Sequence, residues 1–212
     1  MIYAIGDIHG CRDLLEELLE VVNPDLDRHR LVFIGDYIDR GPDSRGVVEV
    51  ILNLKKNYKS ENIICLMGNH ERMFLDFLQG EEELLFLYNG GTATIQSYWG
   101  SQWDRSSRRL PVEHAGFFRE LHLYYETEDY IFVHGGLRPG VPLAAQVEED
   151  LLWIREEFIF SEEDFGRRII FGHTPFRSPL VMPNKIGIDT GAVYGNKLTC
   201  LILPEERFIA VP

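Results

Sequence analysis

The sequence predicts an α/β protein folded as one domain over residues 1–212. Two observations carry this prediction. In the first half of the chain, short apolar runs alternate with amphipathic segments of helical period. In the last third, apolar runs follow one another with few helical segments between them. Because alternating strands and helices form parallel sheets covered by helices, we expect at least one such sheet.

Three strand–helix pairs are predicted in the first half. Each strand is a short apolar run, and each helix carries leucine, isoleucine, methionine or valine at helical spacing. The predicted strands are Ile2–Ile5, Leu31–Ile34 and Ile63–Leu66, and the predicted helices are Arg12–Val22, Arg45–Asn57 and one that begins with Met73–Leu78.

The middle of the chain, from about residue 81 to 121, is predicted to be a helical insertion over one end of the sheet. It is polar and contains turn-forming runs at 89–91 and 99–101. The last third then carries five further predicted strands. These are Tyr130–Val133, Arg168–Phe171, Lys185–Ile188, Leu198–Leu203 and Arg207–Val211.

Composition and charge narrow the class of protein. With 45% hydrophobic residues, the chain has enough apolar material for a substantial core. The formal net charge of -13 at pH 7 argues against nucleic-acid and anionic-membrane partners. Three well-separated cysteines and the lack of a long apolar run in the sequence predict a cytoplasmic protein with reduced thiols.

Side chains that can bind metal follow five of the predicted strands. A lone histidine or a lone Gly-Asp pair is usually structural, but recurrence at successive strand ends is not. Because ligands gather beyond the carboxyl ends of strands in open α/β sheets, we expect one shared site. Gly6, Gly35 and Gly68 would allow the close backbone approach that this site needs. The side chains, in chain order, are Asp7 with His9, Asp36, Asn69 with His70, His134 and His173.

The residue types predict the kind of metal. Carboxylate and amide oxygens mixed with imidazole nitrogens suit Mn, Fe or Zn rather than calcium. Without His70, which neighbours Asn69, there are six such ligands, which exceed what one catalytic ion with open positions needs and match two ions that share a carboxylate. We therefore expect two divalent metal ions, with Mn²⁺ first and Fe or Zn as alternatives.

Five short motifs contain these residues. Together they resemble, in order, the signature blocks of the phosphoprotein phosphatase family among the calcineurin-like metallophosphoesterases, and most of all its small bacterial and phage members. The resemblance implies a four-layer α/β/β/α sandwich with mixed sheets. The motifs are GDIHG at 6–10, GDYIDRG at 35–41, GNHE at 68–71, HGG at 134–136 and GHT at 172–174, extended by LWIRE at 152–156 and IDTGAVYGNKLT at 188–199.

The resemblance also implies a role for each residue. His70 would be the general acid, which Asp39 orients and keeps protonated. Arg40 and Arg155 would bind the phosphoryl oxygens. The GHTP run lacks a second histidine that many related phosphodiesterases have there, so we expect the first ion to keep more solvent. The first ion would be held by Asp7, His9 and Asp36, and the second by Asp36, Asn69, His134 and His173.

The predicted activity is removal of phosphate from phosphoserine and phosphothreonine in proteins and peptides, with phosphotyrosine as a further substrate. Asp39 supports it, because the similar diadenosine tetraphosphate hydrolases generally lack that aspartate. The alternative enzyme is a dinucleoside tetraphosphate or cyclic nucleotide hydrolase. A third hypothesis, a binding module without catalysis, is disfavoured by the complete ligand set. The sequence makes no prediction of oligomeric state.

A cluster of tryptophan and arginine residues in the insertion has two interpretations. It could form an aromatic and basic wall that selects substrate, or a folded cover with solvated arginines. We favour the cover, because arginine stems commonly pack on apolar surface. The residues are Trp99, Trp103, Arg105, Arg108 and Arg109.

Overall fold

The protein is described by a computed structural model that covers residues 1–104 and 108–212. Within these ranges ten strands form two sheets of five. The strands are β1 (Ile2–Ile5), β2 (Arg30–Phe33), β3 (Ile63–Cys65), β4 (Tyr124–Glu126), β5 (Tyr130–Val133), β6 (Arg168–Phe171), β7 (Leu180–Val181), β8 (Lys185–Gly187), β9 (Leu198–Leu203) and β10 (Arg207–Val211).

Both sheets are mixed. The first has the order β10-β9-β1-β2-β3, in which β1, β2 and β3 are parallel and β9 is antiparallel to both of its neighbours. The second has the order β4-β5-β6-β8-β7, in which β5, β6 and β8 are parallel and the two edge strands are antiparallel. Each sheet thus has three parallel strands at its core.

Helices cover the outer faces of both sheets. They begin and end at recognisable signals: the Asp43 carboxylate accepts a hydrogen bond from Gly46 N at the start of the second helix, and Gly80 ends the third with φ 88°. The helices are α1 (Arg12–Val22), α2 (Ser44–Asn57), α3 (Asn69–Gln79), α4 (Glu83–Phe86), α5 (Thr92–Trp99), α6 (Val112–Arg119), α7 (Glu148–Trp153) and α8 (Glu156–Ile159).

Three buried apolar clusters separate four layers. The largest lies between the first sheet and helices α1, α2, α3, α5 and α6. A second lies between the sheets, where Val32 and Ile34 meet Phe132 and Ile186. The third lies between the second sheet and α7 and α8. The predicted α/β/β/α sandwich with mixed sheets is confirmed.

The structure differs from the sequence prediction at several short elements. Strands β4 and β7 were not predicted, because three and two residues are too few for a periodic pattern. Helix α3 begins at Asn69, four residues before Met73. It begins early because Glu71 Oε2 accepts a hydrogen bond from Gly68 N at 2.9 Å, the reciprocal half of a capping box.

Two features of the sequence, the lack of a long apolar run and the separated cysteines, have counterparts in the described part of the structure. No helix there is both long enough and apolar enough to cross a bilayer. The three cysteines, Cys11, Cys65 and Cys200, are free thiols.

Candidate active site

The predicted metal ligands converge between the two sheets. Strands β1, β2 and β3 deliver ligands from the first sheet, and β5 and β6 deliver them from the second. The side chains are no more than 5% exposed, which is rare for carboxylates and imidazoles without partners. They are Asp7, His9, Asp36, Asn69, His134 and His173.

Two glycines allow the strand ends to approach this closely. Gly35 has φ 109°, and an added Cβ would lie 2.7 Å from Gly68 N and 2.9 Å from His134 Nδ1. A Cβ at Gly68 would collide with the carboxylate of Asp36. Any larger residue at either position would therefore push apart two loops that carry predicted metal ligands.

One half of the site gathers the ligands predicted for the second ion. His134 Nε2 and His173 Nδ1 lie 3.0 and 2.9 Å from Asn69 Oδ1, and His134 Nε2 lies 3.4 Å from Asp36 Oδ1. His134 Nδ1 lies 3.1 Å from Ile34 O, which only accepts, so in the neutral ring Nδ1 carries the proton. The Nε2 lone pair then faces two oxygen acceptors. These lone pairs repel one another unless a cation lies between them, so the arrangement suits a metal ion.

The other half contains His9 and Asp36, whose Nε2 and Oδ2 atoms are 3.4 Å apart. His9 Nδ1 lies 2.8 Å from Ile38 O, so Nδ1 carries the proton and Nε2 carries the lone pair that can bind metal. Asp7 enters differently, since its carboxylate accepts hydrogen bonds from His173 N at 3.0 and 3.3 Å. The ligand atoms of His9, Asp36 and His70 lie within 4.8 Å of one another, so His70 and not Asp7 is the third member of this close group.

Burial sets the charge states of the site. It lowers the pKa of His134 to about 3 and the pKa of His9 well below its usual value, so both rings are neutral at pH 7 and can bind a metal ion. Burial raises the pKa of Asp7, with further contributions from the negative charges of Asp189 and Asp36. Packed carboxylates and neutral imidazoles of this kind are stabilised by divalent cations.

The predicted acid and its partner are in contact. His70 Nδ1 lies 2.6 Å from Asp39 Oδ2, and Asp39 is fully buried. Thr94 donates to the other carboxylate oxygen at 2.5 Å, which fixes Asp39 from α5. Burial lowers the pKa of His70 to about 4, which opposes the expectation that Asp39 keeps the ring protonated. The contact therefore orients the imidazole more than it charges it.

The two predicted phosphate-binding arginines stand at the rim. Arg40 Nη1 lies 2.7 Å from His9 Nε2, and its guanidinium carbon is 5.6 Å from the ring centroid of Tyr194. Arg155 is exposed and donates to Thr174 Oγ1 at 3.3 Å. Both positive charges contribute to the lowered pKa of His134, so both act on the site.

Backbone strain is concentrated here. Several ligand-bearing or adjacent residues that are not glycine have φ between 48° and 71°. Conformations of this kind cost about 1–3 kcal/mol each and persist only where the surroundings enforce them. They are His9, Asp36, Asp39, Arg40 and His173.

Sequence reasoning missed Glu71, which helps to enforce this strain. Its buried carboxylate accepts three backbone hydrogen bonds of 2.9 Å, from the amides of Asp36, Tyr37 and Gly68. It thereby joins the loop after β2 to the start of α3. The signal was present, since a glutamate three residues after a helix start is a capping pattern.

Tyr194 and Asp189 were also missed. Tyr194 is 62% exposed beside Arg40, which makes it available to a bound molecule. Asp189 is buried and accepts a hydrogen bond from Gly191 N at 2.9 Å. Burial raises the pKa of Asp189 to about 6.

The described part of the tryptophan and arginine cluster packs on the aromatic side chains of the insertion, but Arg108 is largely buried rather than solvated as expected. Arg108 lies 4.3 Å from the centroid of the Phe77 ring and forms a 2.6 Å ion pair with Glu83. The Trp103 ring packs at a tilt against the same Phe77 ring, with centroids 6.0 Å apart. Arg105 lies outside the described residues.

Relatives of this chain span almost its whole length. It is 28% identical to a bis(5′-nucleosyl)-tetraphosphatase PrpE [asymmetrical] of Oceanobacillus iheyensis, over 98% of this chain and 90% of the relative. It is 31% identical to serine/threonine-protein phosphatase 1 of Salmonella typhimurium, over 93% and 89%. Several other bacillary PrpE proteins match at similar identity and coverage.

Solved structures agree with the fold. The crystal structure of a candidate diadenosine tetraphosphatase superposes with a TM-score of 0.77 at 25% identity, over 100% of this chain and 92% of that one. A cold-active protein-tyrosine phosphatase of a Shewanella species superposes at 0.65 with 19% identity, over 99% and 76%, a likeness of fold alone. Residues 1–201 match the calcineurin-like phosphoesterase family. With the fold, the strand-end ligands and this match in hand, we conclude that the chain belongs to the calcineurin-like phosphoesterases.

Proposed function

We propose that this phosphoesterase hydrolyses dinucleoside tetraphosphates asymmetrically, with two divalent ions as cofactors. The similarity to bis(5′-nucleosyl)-tetraphosphatases along nearly the full length of both chains carries the proposal. It reverses the order of the two enzyme hypotheses drawn from the sequence, in which Asp39 had favoured protein phosphatase activity.

The geometry of the rim is compatible with such a substrate. A polyphosphate chain presents several anionic groups, and Arg40 and Arg155 offer guanidinium groups that can bind phosphate oxygens in pairs. The exposed Tyr194 ring beside Arg40 offers a face on which a nucleobase can stack. Phosphate and base recognition would therefore lie side by side.

Six of the site residues would hold the two metal ions. Asp7, His9 and Asp36 would hold the first ion, and Asn69, His134 and His173 would hold the second together with Asp36. When bound, the ions supply Lewis acidity and a water-derived nucleophile at neutral pH.

The remaining residues would act on the substrate itself. Arg40 and Arg155 would bind the phosphoryl oxygens and keep the attacked phosphorus in line. His70 would donate a proton to the departing oxygen, with its ring oriented by the 2.6 Å contact to Asp39. Because burial lowers the pKa of His70 to about 4, the protonated ring is the minor form at neutral pH.

A second candidate function is hydrolysis of phosphoserine and phosphothreonine in proteins. The buried contact between Asp39 and His70 favours it, because an alkoxide leaving group needs a proton more than a nucleotide phosphate does. The similarity to the Salmonella serine/threonine phosphatase points in the same direction.

One comparison separates the candidates. We expect the Mn²⁺-loaded protein to cleave diadenosine tetraphosphate to ATP and AMP, with a kcat/KM well above that for a phosphoserine peptide or a 2′,3′-cyclic nucleotide. Chelation should abolish all activities, and Mn²⁺ should restore them. A higher kcat/KM for the phosphopeptide would select the second candidate. Turnover that persists in chelator, with metal absent by elemental analysis, would remove both.

A further inference from the structure

Lys185, in β8, is a buried cation outside the metal centre. Its side chain is fully buried, which is costly for an ammonium unless the charge is compensated. The ammonium donates hydrogen bonds to the backbone carbonyls of Phe158, Ile159 and Ser161, at 3.4 Å for Ile159 and 2.7 Å for Ser161. It also lies 4.3 Å from the centroid of the Phe158 ring. All of these contacts go to one short segment.

That segment is the end of α8, the helix that follows Arg155. Arg155 O accepts hydrogen bonds from Phe158 N at 3.0 Å and Ile159 N at 2.8 Å, so Arg155 is tied to the first turn. The last carbonyls of a helix have no partner within the helix, and a positive charge there is favourable. Lys185 supplies both the donors and the charge at the end opposite Arg155.

Arg155 depends on this helix for its position. It is the residue that directly precedes α8 and caps its start. Its exposed side chain makes a 3.3 Å hydrogen bond to Thr174, which alone would hold it weakly. The direction of the guanidinium therefore depends on how α8 is fixed.

The Phe158 ring packs α8 against the two loops that carry His134 and His173. It packs edge-on against Phe171 at the end of β6, with ring centroids 5.0 Å apart. It also fills the space beside Gly136, where a Cβ would collide with it. Gly136 and Phe171 lie two residues from His134 and His173, so α8 is seated against both ligand loops.

We propose that Lys185 is a positioning residue that fixes α8 and so holds Arg155 where its guanidinium meets the phosphoryl group. The inference rests on the role of Arg155 in the proposed function. Lys185 itself does not reach the reacting atoms. Burial lowers the pKa of Lys185 to about 8, so the side chain is still mainly charged at pH 7.

A double-mutant cycle tests this chain of contacts. Lys185→Met, Arg155→Ala and the double variant are compared with the wild type, all loaded with Mn²⁺, on diadenosine tetraphosphate. We expect Lys185→Met to raise KM and lower kcat while the bound metal stays at the wild-type level. In the Arg155→Ala background the same change should add less than about twofold, because coupled residues are not additive.

Controls separate positioning from general loss of stability. Ile186→Val, in the same strand but facing the core between the sheets, should leave KM unchanged. Lys185→Arg keeps the charge and donors and should recover part of the loss. If Lys185→Met does not fold, Lys185→Gln, which keeps two donors, takes its place in the cycle.

Each outcome of the double-mutant cycle either supports or overturns the positioning role of Lys185. Additive effects in the double variant, or an unchanged KM in Lys185→Met, overturn the inference and leave the proposed function in place. If Arg155→Ala itself leaves KM and kcat unchanged, the phosphate-binding role of Arg155 fails, and the inference fails with it. A strong effect of Lys185 that disappears without Arg155 supports both.

Discussion

Asp36 faces both halves of the candidate metal centre. One carboxylate oxygen lies 3.4 Å from His134 Nε2 and the other lies 3.4 Å from His9 Nε2. This arrangement suits a carboxylate shared by two ions, and it explains why the chain accepts a strained φ of 52° at this residue.

Removal of the shared charge should therefore empty both sites. We expect Asp36→Asn to lose both equivalents of Mn²⁺ after dialysis, whereas Asp7→Asn should lose only the first. Loss of an outer partner already weakens metal binding about 10–100-fold, and a shared ligand should cost more. Elemental analysis of the dialysed variants checks this, and two retained ions in Asp36→Asn would contradict the shared role.

His70 gives a prediction about the leaving group. His70→Asn should keep its metal and lower kcat by about 10²–10⁴, the usual range for loss of a general acid. The loss should be smaller for nitrophenyl phosphate, because nitrophenolate departs without a proton. Steady-state rates on an alkyl and an aryl phosphate test this. Equal losses on the two would assign His70 another role, such as the metal contact that its distance to Asp36 allows.

At the scale of elements, the start of α3 and the loop after β2 form one unit through Glu71. Gln offers one carbonyl oxygen where the carboxylate offers two, so at least one of three buried amides would lose its acceptor. Such a loss costs about 1–3 kcal/mol. We expect Glu71→Gln to lower the free energy of unfolding by that amount and to weaken Mn²⁺ binding, measured by thermal unfolding and metal titration.

A matched change on α2 serves as the control. Glu49 is partly exposed and pairs with Arg45 at 2.9 Å within one helix. Glu49→Gln should shift stability by less than about 0.5 kcal/mol and leave metal binding unchanged. If the two variants behave alike, Glu71 does not support the metal centre.

The turn between β8 and β9 places Tyr194 at the rim. Gly191, with φ 70°, begins this turn, and Gly195 N donates to Ala192 O at 3.0 Å. A stacked base is worth about 1–3 kcal/mol. Tyr194→Leu should therefore raise KM for diadenosine tetraphosphate about 5–150-fold, and Tyr194→Phe should not.

A substrate without a base completes that test. Hydrolysis of inorganic tripolyphosphate should be the same in the Tyr194→Leu variant and the wild type, because only stacking is removed. An equal loss on both substrates would mean that Tyr194 acts through Arg40 rather than through the base.

At the scale of the whole molecule, 34 acidic residues against 21 basic ones set the long-range field. A net charge of -13 repels polyanionic substrates at low ionic strength, and the repulsion is screened beyond about 10 Å at 0.1 M salt. We expect kcat/KM for diadenosine tetraphosphate to rise as salt is added at constant metal loading. A phosphopeptide with flanking lysines should show the opposite trend. Parallel trends for the two substrates would mean that the local charge of the ions and arginines dominates.

The sequence by itself predicted the alternating strands and helices and a candidate site at their ends, and its resemblance to a known family supplied the sandwich. The periods of the apolar residues placed β1, β2, α1 and α2 within a few residues of their observed bounds. Residues beside a glycine at strand ends identified the six side chains now found buried together. These signals are local, because each is contained in a run of about ten residues that folds in much the same way in any parallel sheet.

Only the tertiary structure decided which residues support and surround those ligands. Thr94 lies 55 positions from Asp39, and His173 lies 104 from Asn69, so no local pattern connects them. The same is true of Lys185 in β8, which contacts the backbone at the end of α8 from a distant part of the sequence. Strands β4 and β7 form only because neighbouring strands give their backbone groups partners. Packing across distant segments thus sets the hydrogen-bond partners, the desolvation and the pKa values of the site, and none of these is a property of a short run of sequence.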